Sequence, residues 1–374
     1  MPVSVTDSVR NDSQSGRAYR PANGIGPFRD ALAKTIPVTV IVPAYNEEQS
    51  LADTLVSLWT QTAPPHEVIV VDDCSTDETA SVAESLGARV VRPPRNTGSK
   101  AGAQTFALDL VDTPFVIAID ADTTLAPDAI QRLFAHFSDP DVAAACGTVL
   151  PRHVRSVWER GRYVEYLFAF TFYKRIQEAF GAPLISSGCF SMYRTSELRA
   201  VGGWSTRTLA EDMDLTWTLH QARRKVRFDP EAVCYPIEPH DFGFLSKQLR
   251  RWSHGFVQNV KLHWRGLLQV PFLRHAVAVS FWDAIIAAIV YLVALPIVAL
   301  ALRTPIPLLG YVIDVPAIAI PVLVGAAQRG EVGRAIASLP AFFVLRTVNA
   351  LYFLRAAFLE LLVRRSFNTY EKGH

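Results

Sequence analysis

The stretch Ile117-Ala118-Ile119-Asp120-Ala121-Asp122 decides how this chain is read. The apolar run from Phe115 to Ile119 predicts a buried strand, and it stops on two carboxylates one residue apart. In an open α/β sheet, ligands bind just beyond the carboxyl ends of the strands. An Asp-x-Asp pair placed there can hold a hard divalent cation through its oxygens, and that cation can bridge a diphosphate. Taken alone, the pair is more often a solvated turn, because Asp is common after strands. The flanking sequence shifts the balance.

Upstream, Pro37 to Pro43 predicts a strand, followed by Ala44-Tyr45-Asn46-Glu47-Glu48 and a helical pattern at Leu51, Leu55 and Leu58. Glu67 to Val71 predicts a second strand. It ends in Asp72-Asp73-Cys74-Ser75-Thr76-Asp77, where Ser75 or Thr76 is the expected cap of the next helix. Arg89 to Val91 predicts a short third strand, and Arg95 to Lys100 a loop into another helix. This β-α-β-α alternation predicts a mostly parallel, doubly wound sheet. Tyr45, Asp72 and Asp73 then share one sheet edge with Asp120 and Asp122. No G-x-G-x-x-G follows the first strand and no Walker A sequence occurs, which argues against a dinucleotide enzyme or a P-loop ATPase. A nucleotide held by acids and a metal fits better.

Downstream, Pro127 to Phe137 predicts a helix and Val142 to Val149 a strand. Trp158 to Phe180 predicts a long amphipathic helix whose aromatics suit core or membrane-surface packing. Leu209-Ala210-Glu211-Asp212-Met213-Asp214 opens a further helix, where acids suit the positive end of the dipole. Gln248-Leu249-Arg250-Arg251-Trp252 lies on a basic helical stretch reaching Trp264, the pattern of an interfacial helix.

Half of the 374 residues are hydrophobic, and the excess sits after His275, so a water-soluble front precedes a membrane-like back. Ala276 to Leu302, Leu308 to Ala327 and Leu339 to Val363 are candidate membrane segments. The third carries Arg346, Asn349, Arg355 and Glu360, which must face protein, water or the interface. A net charge of +2 without a long basic run gives no sign of a nucleic-acid partner. The four cysteines are scattered without a C-x-x-C, which reads as free thiols on a cytoplasmic face. The expected division is a flexible tail over 1–35, a catalytic domain over 36–240, interfacial helices over 241–275 and a membrane domain over 276–374 with two or three spans, three favoured.

With these motifs in hand (VPAYNEE, VVDDCSTDET, AIDADTTL, SSGCFSMYR, GGW, AEDMDLT and QLRRW), the sequence resembles glycosyltransferase family 2 from about Pro37 to Trp264. Within the family it is similar to the membrane-bound β-glycan synthases, which include cellulose, chitin, hyaluronan and poly-N-acetylglucosamine synthases. The resemblance implies a GT-A fold and inverting transfer from a UDP-sugar, with UDP-N-acetylglucosamine the expected donor, Mg²⁺ or Mn²⁺ as cofactor, and a glycan or lipid acceptor. It places Tyr45 and Glu47, in VPAYNEE, and the acidic pair Asp72 and Asp73 around the nucleotide, with Lys100 also at the base. Asp120 and Asp122 match the metal and diphosphate pair, Asp212 the general base beside Glu211, Arg251 a diphosphate ligand, and Gln248 and Trp252 the acceptor side. The chemistry agrees: one carboxylate must take the acceptor's proton, and the leaving diphosphate needs positive charge.

The sequence departs from the pattern at Ala210, where the family often has threonine, and in lacking spans before the catalytic domain. The second departure leaves a short product, a partner subunit or a homo-oligomeric pore to be expected in place of a single-chain polymer channel. A single-sugar transfer to lipid is the alternative activity, and a catalytically inactive membrane scaffold is a third reading, which the intact acids oppose. The expected location is an integral membrane protein with its catalytic domain in the cytoplasm.

Overall fold

The computed structural model describes residues 35–313 and 315–367. The expected N-terminal tail falls almost wholly outside them. The front of the chain alternates strand and helix: β1 (Ile36–Ala44), α1 (Leu51–Trp59), β2 (Pro65–Asp72), α2 (Thr79–Ser85), β3 (Arg89–Val91), α3 (Lys100–Leu108) and β4 (Phe115–Ile119). β1 is buried from Val38 to Val42 because helices cover both of its faces. Val38, Val40 and Val42 pack in one core with Leu51, Leu55 and Leu58, whose i, i+4, i+7 spacing gives α1 one apolar stripe. Each of those leucines contributes about 2 kcal/mol by leaving water. Ile41 turns the other way, onto Ala101, Ala103 and Ala107 of α3.

β5 (Thr124–Leu125), α4 (Ala129–Ala135), β6 (Val142–Val149), α5 (Val157–Phe168), α6 (Lys174–Ala179), β7 (Phe190–Arg194), α7 (Thr195–Ala200), α8 (Glu211–Gln221) and β8 (Lys225–Tyr235) complete the domain. The strand order is β3-β2-β1-β4-β7-β6-β8-β5. β3, β2, β1 and β4 run parallel, as do β6 and β8, whereas β7 is antiparallel to both its neighbours and β5 to β8. The sheet is therefore mixed. After β6 the chain makes a long helical excursion through α5 and α6, then re-enters from the ligand end. β7 must run backwards as a result, which brings Gly188 and Cys189 beside the end of β4. The Asp120 amide donates to the Cys189 carbonyl at 3.3 Å.

Ser156 caps α5 in a reciprocal box with Glu159, and a π-helical turn over Ala169–Tyr173 joins α5 to α6. Ser75 and Thr76 do not cap α2. Asp77 accepts from the Thr79 amide at 3.1 Å, while Ser75 Oγ accepts from the Asn46 amide at 3.0 Å. The loops after β1 and β2 are thus laced to each other.

α9 (Phe242–Leu267) opens on an Asp241 cap, and the chain continues through α10 (Pro271–Phe281), α11 (Leu295–Leu302), α12 (Val315–Gln328) and α13 (Val332–Ala357). Among the described residues, Phe272–Leu302, Ile306–Gln328 and Val332–Leu362 are long and apolar enough to cross a membrane.

Candidate active site

A cavity of about 1610 Å³ opens at the carboxyl ends of β1, β2 and β4 and runs towards the C-terminal helices. Tyr45 and Glu47 form one wall. Asn46 between them takes a left-handed conformation that Asn tolerates, and its side-chain oxygen accepts from the Thr76 amide at 2.9 Å. The Glu47 carboxylate accepts from Ser50 Oγ at 2.6 Å. Asp73 stands on the same wall, its two oxygens taking the Thr97 amide and hydroxyl at 2.8 Å each.

Asp72 does not line the cavity. Successive strand residues point to opposite faces, so Asp72 turns inward and is fully buried. Its carboxylate takes Arg92 Nε and the Ser75 amide, each at 2.8 Å. It shapes the loop that presents Asp73.

Asp120 and Asp122 face the cavity from the β4 end. Lys100, at the start of α3, is ion-paired with Asp120 and donates to the Gly188 carbonyl at 2.8 Å. The Gly188 amide in turn donates to Asp212 Oδ2 at 2.9 Å. Lys100 thus sits between the aspartate pair and the start of α8. Glu211 stands beside Asp212. Burial and the neighbouring Asp212 charge raise its pKa, against the opposing pull of Lys100 and Arg251.

The two aspartates fit a hard cation. They offer two carboxylates at an open edge, and about a third of the Asp120 side chain is exposed. No group of three or more His, Cys, Asp and Glu able to enclose a metal occurs among the described residues. A cation here would complete its shell from diphosphate oxygens and water, the mode of Mg²⁺ and Mn²⁺.

α9 supplies Gln248, Arg251 and Trp252 to the cavity. Gly255 lets this helix approach the start of α8 closely, since an added Cβ would lie 2.7 Å from the Ala210 Cβ. Asn259 donates to the Ala210 carbonyl at 3.0 Å, and His263 meets Asp214 at 2.6 Å. Burial alone would raise the Asp214 pKa, but His263 and Arg207 together hold it below the usual range. Asp214 therefore ties α8 to α9, and these contacts hold the Glu211–Asp212 pair close to the helix that carries QLRRW.

Arg162 of α5 was not foreseen from sequence. Its side chain is 1% exposed, lies 4.5 Å over the Trp252 ring, and donates to Gln248 Oε1 at 2.9 Å. It is also ion-paired with Glu165 and lies 3.9 Å from Glu238. Glu165 accepts from Asn349 of α13 at 2.9 Å, so this network joins Gln248 and Trp252 to the C-terminal helices. Arg152, donating to the Asp122 carbonyl at 2.8 Å, is a second cation that sequence did not single out. A charge on the apolar face of an amphipathic helix was the only hint of Arg162.

Residues 39–202 match the family described as Glycosyl transferase family 2. Poly-beta-1,6-N-acetyl-D-glucosamine synthases of Staphylococcus epidermidis and Staphylococcus aureus are 30% identical over 223 residues, 58% of this chain and 54% of each relative. The chain thus spans about half the length of these curated relatives. A mannosyltransferase from Pyrobaculum calidifontis, solved in complex with GDP-Man and Mn²⁺, superposes with a TM-score of 0.57 at 22% identity, covering 90% of this chain and 91% of that one. The sheet and the acids at its edge agree with the family match: residues 39–202 carry a glycosyltransferase family 2 domain.

Proposed function

We propose that the chain is an inverting, membrane-associated glycosyltransferase that moves a sugar from a UDP-sugar to the end of a growing β-glycan. The observation that carries this reading is the placing of Asp120, Asp122, Asp212 and Arg251 around one cavity. N-acetylglucosamine is the assigned sugar, from the likeness to the staphylococcal synthases.

Tyr45 and Asp73 hold the nucleotide at the far wall, with Glu47 supporting the loop between them. Asp120 and Asp122 would hold Mg²⁺ or Mn²⁺, which when bound would offset the charge of the diphosphate. Lys100 and Arg251 add fixed positive charge on the same leaving group. Asp212 takes the proton from the acceptor hydroxyl as that oxygen bonds to the anomeric carbon and the bond to the diphosphate breaks. Gln248 and Trp252 hold the acceptor sugar, whose apolar ring face suits an indole. The catalytic domain faces the cytoplasm, where nucleotide sugars are made.

A lipid acceptor is the second reading. It is favoured by the continuation of the cavity past Trp252 among Ala284, Ala287, Leu292 and Phe342 of the C-terminal helices.

The test is a panel of nucleotide sugars supplied to detergent-solubilised protein, with UDP release measured and the product weighed by mass spectrometry. A ladder of N-acetylhexosamine additions is expected. A single addition to lipid would select the second reading, and no release from any nucleotide sugar would overturn both.

A further inference from the structure

The third apolar helix, Val332–Leu362, is long enough to cross a bilayer, yet both of its ends are fastened to the catalytic side. At the N-terminal end, the Tyr163 hydroxyl of α5 donates to Glu331 at 2.7 Å, and Ala335 packs in one cluster with Leu150, Val164 and Val233, the last a residue of β8. At the C-terminal end, Glu360 is fully buried against His254 of α9 at 3.0 Å and Gln258 at 2.9 Å. α9 is itself tied to the base-bearing helix α8 through His263 and Asp214.

Contacts with the same body fill the interval. An added Cβ on Gly161 of α5 would lie 2.9 Å from the Leu345 Cβ, Asn349 bonds to Glu165, and Tyr352 meets Ser246 of α9 at 2.5 Å. From Glu331 to Glu360 a helix advances about 44 Å at 1.5 Å per residue. A span of that length would carry one end across the hydrocarbon, about 30 Å from the polar groups that hold the other. The observed partners rule out such a separation.

The first two apolar helices differ. In Phe272–Leu302, Leu273, Val277 and Ile285 pack with α8 and α9, but only 11% of its apolar window is buried, and from Ile289 to Leu302 large apolar side chains stand exposed. It turns at Arg303-Thr304 and returns as Ile306–Gln328, meeting α5 through Ile318, Val322 and Ala326, while Gly325 abuts Thr171. The stretch between Ala288 and Ile318 thus forms a hairpin projecting from the catalytic body.

We infer that Val332–Leu362 lies in the plane of the membrane surface and that the chain crosses the bilayer twice, through Phe272–Leu302 and Ile306–Gln328. The lipid leaflet meets the exposed stripe Ile336, Val344, Leu351, Phe358 and Leu362, the arrangement of an interfacial helix. In this position Arg346, Asn349 and Glu360 lie at the interface against protein partners, which removes the cost of holding them in hydrocarbon.

The test is side-specific labelling of the full chain in sealed membrane vesicles of known orientation with a membrane-impermeant maleimide. Arg329→Cys, Arg365→Cys and Thr304→Cys are compared in a chain with its four cysteines changed to serine. Arg329→Cys and Arg365→Cys are expected to label from the same side and Thr304→Cys from the other. Should the serine background fail to fold, reporters inserted after Arg329 and fused after His374 in the native chain read the same sides. Positions 329 and 365 on opposite sides would establish a third crossing and overturn the inference. Position 304 on the same side as 329 would overturn the two crossings.

Discussion

The Asp212 carboxylate is held by the Gly188 amide at Oδ2 and the Met213 amide at Oδ1, so its plane is fixed before any acceptor arrives. Asp212→Asn keeps the size and removes the proton acceptor. Its kcat is expected to fall about a hundredfold or more, while UDP affinity, measured by titration calorimetry, stays near wild type. Near-normal turnover would move the base elsewhere. The raised pKa of Glu211 gives a second prediction. A carboxyl held above its usual range takes up a proton earlier as pH falls. The acid limb of kcat is therefore expected at higher pH in the wild type than in Glu211→Gln, and coincident limbs would remove Glu211 from the titration. Arg162→Lys keeps the charge beside Glu165 and Glu238 but loses the stacking on Trp252 and the bond to Gln248. Those contacts are together worth about 1–3 kcal/mol. The acceptor KM is accordingly expected to rise about tenfold or more with the donor KM unchanged, and equal rises in both would show a general loosening instead.

At the scale of elements, the β6–β8 pairing depends on one glycine. An added Cβ at Gly147 would lie 2.0 Å from the Ala232 carbonyl oxygen, a backbone atom that cannot swing away. Gly147→Ala is expected to cost about 3 kcal/mol, the upper range for overpacking, seen as a lowered Tm in detergent; an unchanged Tm would show that the two strands can part cheaply. Nothing in the sequence marked this glycine, because the clash is with a strand 85 positions away. β1 to β4 and β6 were legible as short apolar, β-branched runs, two of which run into Asp and so mark the ligand edge, whereas β5, β7 and β8 were not foreseen. Nor was strand direction: β7 runs backwards because of where α5 and α6 return the chain, which periodicity does not encode. The same limit applies to Asp72 and Asp73. Sequence puts both at the edge, and only the pleat separates the one that faces the cavity from the one buried against Arg92.

For the whole molecule, composition suggested a water-soluble catalytic front and a separable membrane back, and the packing joins the two. Ile318, Val322, Ala326, Ala335 and Phe342 share a cluster with Tyr163, Val164 and Leu167 of α5. Leu345 packs with Leu245 and Leu249 of α9, beside the QLRRW stretch. Asn349 and Glu360 add polar ties to α5 and α9. A chain ending at Gln269 would therefore bare an apolar face on α5 and α9, leave His254 and Gln258 without Glu360, and loosen the Arg162 network that holds Gln248 and Trp252. Exposed apolar surface of that extent drives association. The truncated chain is expected in the aggregated or membrane-bound fraction. If recovered in detergent, it should bind UDP, because the wall proposed for the nucleotide is built from the loops after β1 and β2, but not turn over sugar. A soluble, monomeric and active 1–269 fragment would show that the C-terminal helices anchor the enzyme without completing its site.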